Sequence, residues 1–256
     1  MKIQGINSPV VLANQIPLLE YLDQVMSSFF PLPSHSVVAI TSKVVSLCEG
    51  AVVPIDPDNP AQKDQLIQQE CERFIPRELN PYHVCLTIKS KKLIATAGID
   101  ESNADGVFVL WPKDPQSTAN KIRAHLREKA SGPIGVILTD SATSLLQWGT
   151  RGISLAHSGF QEINSYIGNP DLFGRSMKIT KSNVSAGLAA AAVVVMGEGT
   201  EQTPLALLTD LPFVQFTDRD PTEQELQSVQ IKPEDDLYAQ LLVNAPWQVG
   251  QSKTRL

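Results

Sequence analysis

The chain has 256 residues, with 27 acidic against 21 basic side chains and a formal net charge of −6. That length is enough for one or two domains with a hydrophobic core. An acidic chain without a run of Lys or Arg lacks the cationic surface that duplex nucleic acid requires. The longest apolar stretch, residues 188–196, is far shorter than the about 20 residues of a membrane span. Nucleic acid and membrane are therefore excluded as first hypotheses for its partners.

The start of the chain and its cysteines predict a cytoplasmic protein. Residues 1–4 lack the apolar core of a signal peptide, and the three cysteines form no CxxC pair. The four histidines are scattered without metal-ligand spacing, which argues against a transition-metal cage. Since no repeat or low-complexity linker interrupts the chain, we expect one unit over residues 1–256.

Taken in chain order, the apolar pattern alternates between helical and strand-like segments. Apolar residues that recur three or four positions apart predict helices over 18–26, after Pro60 as far as Phe74, after a cap at Ser117, and over 186–195. Short apolar runs predict strands at 37–40, 93–96, 107–110 and 134–138. The last run is apolar on both faces and is expected to be central in its sheet. The predicted class is α+β, with mixed sheets and flanking helices.

Two acidic clusters follow strand-like runs. Residues 98–106 carry three carboxylates among small residues, which favours either a turn or a site for a hard cation such as Mg²⁺ or Mn²⁺. Residues 139–141, Thr-Asp-Ser, come directly after the predicted central strand, where ligand sites lie in α/β sheets. The alternative for the second cluster is a helix cap.

Two further clusters are candidates for phosphate binding. Lys43 follows the strand at 37–40, and it suits either a phosphate contact or a solvated surface position. In residues 196–204 two glycines allow backbone N–H groups to approach phosphate oxygens, although glycine after a helix is more often a C-cap. No stretch matches the GxxxxGK[ST] phosphate loop.

In their order and spacing these clusters resemble the γ-glutamyl ligase family typified by the enzyme that adds glutamate to the deazaflavin coenzyme, factor 420. The resemblance runs from about Gly5 to residues 234–237 and looks closest to a bacterial branch of folate-metabolism γ-glutamate ligases. It implies the family's own two-lobed fold, which is neither a phosphate-loop nor a Rossmann fold, and a homodimer. The segments that carry it are 40–46, 98–103, 139–141, 152–159 and 196–204.

The resemblance also implies the residues of the site, while the catalytic residues stay unassigned. The implied ligands of the divalent metal, Mg²⁺ or Mn²⁺, are Asp100, Asp140, Ser141 and Glu198. The implied binding residues of the nucleotide co-substrate, GTP or ATP, are Ser8, Pro9, Val10, Val11, Ser42, Lys43, Asn103, Met196, Gly197, Gly199, Thr200, Glu201, Gln202 and Thr203. No covalent nucleophile is implied, in agreement with a chain that shows no Ser-His-Asp pattern.

Three positions depart from the family pattern. Leu47 stands where a second lysine is usual, Gln147 lies in a stretch without the family's arginines, and Ala186 replaces an acid. We therefore expect a folate-like acceptor, whose carboxylate the ligase would join to the amine of L-glutamate through an acyl phosphate. The alternatives are a factor 420-0:L-glutamate ligase, a nucleotide hydrolase, and a degenerate nucleotide-binding homologue without ligase activity. Trp111 is expected to serve packing, and His157 is expected to be a packed or hydrogen-bonded structural residue, with a substrate contact as the alternative.

Overall fold

The computed structural model describes residues 1–252, so the last four residues of the predicted unit lie outside the description. The strands are β1 (Lys2–Ile6), β2 (Ser36–Thr41), β3 (Val52–Pro54), β4 (Arg73–Ile75), β5 (Leu86–Lys89), β6 (Lys92–Ala95), β7 (Val107–Val109), β8 (Ile134–Ser144), β9 (Gln147–Ser158), β10 (Ile163–Ser165), β11 (Lys181–Asn183), β12 (Leu205–Thr209) and β13 (Gln248–Val249). The α-helices are α1 (Leu18–Met26), α2 (Ser42–Glu49), α3 (Gln62–Glu70), α4 (Pro115–Arg127), α5 (Val184–Met196), α6 (Glu223–Ser228) and α7 (Ala239–Val243). Among the described residues, no helix combines the length and apolarity needed to cross a bilayer.

The main sheet has five strands in the order β1-β12-β2-β8-β9. Strands β2 and β8 run parallel and the other neighbours are antiparallel, so the sheet is mixed. Alternate residues of β2 point to opposite faces. Val38 and Ile40 pack with helices α1 and α4, whereas Val37 and Ala39 pack with α5. The sheet is therefore covered by helices on both faces, which explains the apolar character of its central strands.

A second sheet, in the order β13-β4-β5-β6, lies beside the pair β3-β7. Its core joins Ile67 of α3 to Phe74, Ile99 and Phe108. Strand β6 pairs with β5 and strand β7 pairs with β3, so the loop over 98–106 connects two different sheets. The α+β class and the mixed sheets are confirmed, while the division into two lobes stays a prediction.

The structure corrects several local predictions. Helix α3 ends at Glu70, and Phe74 lies in β4 because its side chain is needed in the core of the second sheet. The cap of α4 is Asp114, whose side chain accepts the backbone N–H of Ser117, so Ser117 lies inside the helix. The loop at 98–106 is not a hairpin turn. Strand β8 continues to Ser144, so the Thr-Asp-Ser cluster lies within the strand and not after it.

Leu138 provides a test of the central core. Its side chain is fully buried in β8, and Leu138→Ala is expected to lower the free energy of unfolding by about 2–5 kcal/mol because it leaves a cavity. Leu145, which is 57% exposed beyond the end of β8, is the matched control, and Leu145→Ala should change that free energy by less than about 0.5 kcal/mol. Urea unfolding measures both, and equal effects would contradict the assignment of β8 to the core.

Candidate functional site

One cavity of about 400 Å³ gathers the predicted site residues, and we call it the acidic cavity. All four predicted metal ligands and all fourteen predicted nucleotide-binding residues line it. They come from the loop at 8–11, the start of α2, the loop at 98–103, strand β8 and the loop at 196–204. The structure thus brings the whole predicted set together, and the role of each member stays a prediction.

Lys43 and Asp100 form an ion pair at the cavity wall. The Lys43 Nζ lies 2.5 Å from Asp100 Oδ2 and also donates to the backbone carbonyl of Ser102. The other Asp100 oxygen, Oδ1, accepts the backbone N–H and the hydroxyl of Ser102. Burial acts to raise the pKa of Asp100, but Lys43 and the Ser102 donors outweigh it, so this pKa lies below its ordinary value. Asp100 is therefore ionised at neutral pH.

Asp140 lies just after an irregularity in the β8-β9 pairing. Leu138 pairs with Ala156 and Thr139 with Ser154, so β9 carries one extra residue next to Asp140. Such a bulge redirects side chains locally. The Asp140 carboxylate accepts the indole N–H of Trp111 at 2.5 Å and the backbone N–H of Ser141 at 2.9 Å. Burial, with a further contribution from the Asp100 charge, raises the pKa of Asp140 to about 6 in spite of these donors.

Ser141 links Asp140 to the third carboxylate. Its hydroxyl lies 2.8 Å from both carboxylate oxygens of Glu198, and the Thr150 hydroxyl donates to the same group at 3.0 Å. Glu198 belongs to the loop after α5, whereas Ser141 and Thr150 belong to the paired strands β8 and β9. These hydrogen bonds hold the loop against the sheet at the edge of the cavity.

The loop at 196–204 is held on several sides by backbone contacts. Glu201 accepts the N–H of Gly199, and the Gly199 carbonyl accepts the Asn103 side-chain amide. The Gln202 carbonyl accepts the N–H of Ser8. Gly197 has φ +83°, and an added Cβ would lie 2.4 Å from the Glu201 side chain. The glycine therefore permits a turn that brings backbone groups to the cavity wall.

The donor chemistry of the cavity fits a hard divalent cation. Carboxylate and hydroxyl oxygens are the ligands that Mg²⁺ and Mn²⁺ prefer. Burial is the main cause of the raised pKa of Asp140 and the Asp100 charge a smaller one, and a bound cation would stabilise the ionised form of this carboxylate. Within residues 1–252, no three Asp, Glu, His or Cys side chains converge closely enough to form a metal cage by themselves. An ion here would complete its shell with water and phosphate oxygens, as Mg²⁺ usually does.

Sequence reasoning missed the role of Trp111. The indole is 5% exposed and does pack in the core, as predicted, but its N–H is bonded to Asp140. Gly98, with φ +68°, lies under the ring, and an added Cβ would be 2.1 Å from the indole nitrogen. A glycine two residues before Asp100 was the available signal, but it did not identify the residue packed on it.

Of the three departures from the family pattern, Leu47 lines the cavity, and Gln147 and Ala186 are not among its lining residues.

Comparison with known proteins gives a consistent result. The family described as F420-0:gamma-glutamyl ligase matches residues 20–210. A protein of Methanopyrus kandleri named coenzyme F420:L-glutamate ligase is 31% identical over 218 residues, which cover 79% of this chain and 86% of the relative. A protein of the same name from Methanocaldococcus jannaschii is 28% identical over 246 residues, covering 88% of this chain and 96% of the relative.

Trp111→Phe tests how much the hydrogen bond from Trp111 to Asp140 stabilises the folded protein. The change removes the indole donor and leaves a partly buried carboxylate oxygen with one partner fewer, so we expect the free energy of unfolding to fall by about 1–3 kcal/mol. Trp148→Phe is the control, because Trp148 is 89% exposed, and it should change that free energy by less than about 0.5 kcal/mol. Chemical denaturation of both variants without added metal checks this. A Trp111→Phe protein as stable as the wild type would show that the contact contributes nothing.

Proposed function

The chain belongs to the F420-0:gamma-glutamyl ligase family, and we propose that it joins the amine of L-glutamate to a carboxylate of factor 420-0 at the expense of a nucleoside triphosphate. The observation that carries the proposal is the convergence of all the predicted metal and nucleotide residues on one cavity. The names of the relatives support the acceptor that the sequence analysis gave as its alternative. They give no support to the folate-like acceptor, which we therefore do not propose.

The start of α2 and Lys43 are suited to hold the phosphates. The N-terminus of α2 lies at the cavity, and its cap residue Thr41 makes no side-chain hydrogen bond to the helix. Free backbone N–H groups at a helix start attract phosphate oxygens. Lys43 is the second residue of α2, and its ammonium adds a positive point charge near this helix start. The loop at 196–204 contributes two glycines to the cavity wall.

The carboxylates of the acidic cavity would hold one or more divalent cations. Asp140, Asp100, Glu198 and the Ser141 hydroxyl are the candidate ligands, and Mg²⁺ or Mn²⁺ bound there would neutralise charge on the phosphates during transfer. Trp111 and the backbone of Ser141 fix the orientation of Asp140. Lys43 would exchange its contact with Asp100 for phosphate oxygens when the nucleotide enters.

The reaction needs positioned reactants more than a protein nucleophile. A carboxylate oxygen of the acceptor forms a bond to the γ-phosphorus, and the bond to the β-phosphate oxygen breaks to release the nucleoside diphosphate. The glutamate amine then attacks the acyl carbon, expels inorganic phosphate and loses a proton as the amide forms. Holding these groups in line accounts for a large share of such catalysis.

The exposed face of α5 supports the proposal of a homodimer. The helix is apolar around its whole circumference, a pattern of helices buried on all sides, yet Val194 is 83% exposed. Gly187 and Ala191 lie on the same face, seven and three residues earlier, and their small side chains allow a second backbone to approach. We propose that the partner covering this face is a second copy of the chain.

Manganese binding is expected to stabilise the native protein through Asp140. A cation that binds only the folded state raises its stability by about 2.7 kcal/mol at a hundredfold excess over Kd. We expect millimolar Mn²⁺ to raise the melting temperature of the wild type and to leave that of Asp140→Asn unchanged. Asp105→Asn, an exposed carboxylate in the loop at 98–106, is the control that should retain the rise. If Mn²⁺ leaves the melting temperature of the wild type unchanged, the result argues against the metal site.

The interface proposal predicts that Val194→Glu prevents dimer formation, because an isolated charge in an apolar helix contact costs several kcal/mol. Light scattering after size exclusion should give the mass of two chains for the wild type and of one chain for the variant. Leu172→Glu, at another position that is 98% exposed, is the control and should leave the mass unchanged. A monomeric wild type would refute the homodimer.

Product analysis tests the reaction itself. The full chain is incubated with GTP or ATP, Mn²⁺, isotopically labelled L-glutamate and either factor 420-0 or a folate, and the products are weighed by mass spectrometry. We expect factor 420-0 to gain one labelled glutamyl residue and phosphate release to require both acceptor and glutamate. Phosphate release without an amide product would identify a nucleotide hydrolase, and nucleotide binding without turnover a degenerate homologue. Either outcome would contradict the proposed ligase.

A further inference from the structure

The β8-β9 hairpin extends past the main sheet beside the acidic cavity. Strand β2 ends level with the start of the Thr-Asp-Ser cluster, and beyond that point the hairpin has no further strand beside it in the described part of the chain. Asp140 and Ala142 point to the face of the hairpin that carries Trp111 and Ile94 of β6. We call this surface, from Asp140 to the turn at 145–146, the hairpin face.

Arg151 places a cation on the hairpin face next to Asp140. It lies opposite Ala142 and is a diagonal neighbour of Asp140, a spacing of about 7–8 Å in antiparallel pairs. Its Nε–H donates to the Ser144 hydroxyl at 2.7 Å, which orients the guanidinium. Among residues 1–252 this exposed side chain forms no ion pair and no other hydrogen bond. The remaining N–H donors of Arg151 are therefore available to an anion.

The end of the hairpin carries an exposed pair of aromatic rings. A second irregularity, between Thr143 and Ser144, leaves two extra residues in β9, and Trp148 is one of them. Its indole is 89% exposed and makes an edge-to-face contact with the Tyr82 ring, with 5.7 Å between the ring centroids. Tyr82 precedes β5 of the second sheet, which packs on the hairpin face, so the indole lies on that side. The indole keeps ring surface for stacking with a ligand.

The hairpin face points away from the helix that we assign to the dimer contact. Thr150 and Gly152 alternate with Arg151 along β9 and point to the opposite face. The Thr150 hydroxyl bonds to Glu198, and a Cβ on Gly152 would lie 2.4 Å from a backbone carbonyl of α5. A second chain packed on α5 therefore does not cover Arg151.

The groups of the proposed acceptor match the order of groups on this surface. The reaction requires the acceptor carboxylate to meet the γ-phosphate beside the metal, and Asp140 is the candidate ligand there. In factor 420-0 this carboxylate belongs to a lactyl group on a phosphodiester, and a ribityl chain joins the phosphodiester to the deazaflavin ring. The hairpin face presents a metal ligand, a guanidinium and an indole in the same order.

The acceptor phosphodiester needs a cation of its own. Among the lining residues of the acidic cavity, all of which are described, Lys43 is the single cation, and the proposed reaction assigns it to the nucleotide phosphates. We propose that the hairpin face binds the acceptor, with Arg151 on its phosphodiester and Trp148 stacked on its ring. A guanidinium pairs with phosphate oxygens through two parallel hydrogen bonds. The identity of the acceptor rests on the proposed function.

Calorimetric titration of the full chain with factor 420-0 tests the Arg151 contact. We expect Arg151→Gln to weaken binding about tenfold or more, because the phosphodiester loses its guanidinium, and Arg151→Lys, which keeps the charge, to weaken it less. Arg73→Gln, at an arginine of β4 that does not line the acidic cavity, is the matched control and should bind as the wild type. Nucleotide binding by each variant confirms that it is folded. No binding by the wild type, or equal binding by Arg151→Gln, would overturn the inference.

The ring contact is tested with 2-phospholactate, which keeps the carboxylate and the phosphate of the acceptor but lacks the ring. The wild type should prefer factor 420-0, and Trp148→Ser should lose most of this preference. Leu146→Ser, at a fully exposed position in the same turn, is the control and should keep it. Arg151→Gln should weaken the binding of both ligands. An unchanged preference in Trp148→Ser would overturn the assignment of the ring to the indole.

Turnover separates this inference from the proposed function. If the wild type binds factor 420-0 through Arg151 but forms no amide, the ligase proposal fails and the binding site stands. If ligation occurs and Arg151→Gln leaves the KM for factor 420-0 unchanged, the ligase stands and the site assignment fails. We expect ligation by the wild type and a KM for factor 420-0 raised about tenfold in Arg151→Gln, with the nucleotide KM unchanged.

Discussion

The excess of carboxylates over cations in the acidic cavity is the constraint on which the rest of the site depends. Among its lining residues, all of which are described, Lys43 is the single cation facing Asp100, Asp140, Glu198 and Glu201. Each carboxylate accepts a hydrogen bond, from Ser102 to Asp100, from Trp111 to Asp140, from Ser141 to Glu198 and from Gly199 to Glu201, so none can turn away without breaking one. The site is thus arranged to receive positive charge, and a metal ion that carries phosphates meets that requirement.

The main sheet and the elements packed on it keep these groups in place. Strands β2 and β8 run parallel, so that the start of α2 and the Thr-Asp-Ser cluster reach the same region. On one side, α5 carries the loop with Glu198, and on the other, Trp111 supports Asp140. The same indole also lines a second cavity of about 350 Å³, so one buried side chain contributes to the walls of both cavities.

The sequence was informative where local pattern and final environment agree. The buried runs in β2 and β8 and the apolar helix α5 could be predicted, because their periodicity reports the two-sided core they occupy. The site residues were found through the ordered resemblance, since no single cluster was decisive alone. The predicted extension of the helix to Phe74 was wrong, because an apolar residue suits a helix or a strand equally well. The packing of Phe74 in the core of the second sheet decides for the strand.

Other features depend on contacts between distant parts of the chain. The hydrogen bond between Trp111 and Asp140 has no local signal in the sequence. The extension of β8 past Asp140 comes from its pairing with β9. The polar residues in this part of the strand give no apolar pattern from which the extension could be predicted. Such features arise when strands from different sheets and loops meet, and they require the three-dimensional structure to be seen.

The central claim is that the acidic cavity holds a divalent cation together with a nucleotide. Its most direct test is a crystal structure with Mn²⁺ and a non-hydrolysable GTP or ATP analogue, in which anomalous scattering at the manganese edge locates the ion. The account predicts a manganese peak in contact with Asp140 and the nucleotide phosphates, beside Lys43. A nucleotide and ion bound elsewhere, or a nucleotide in the cavity with no manganese at Asp140, would contradict it.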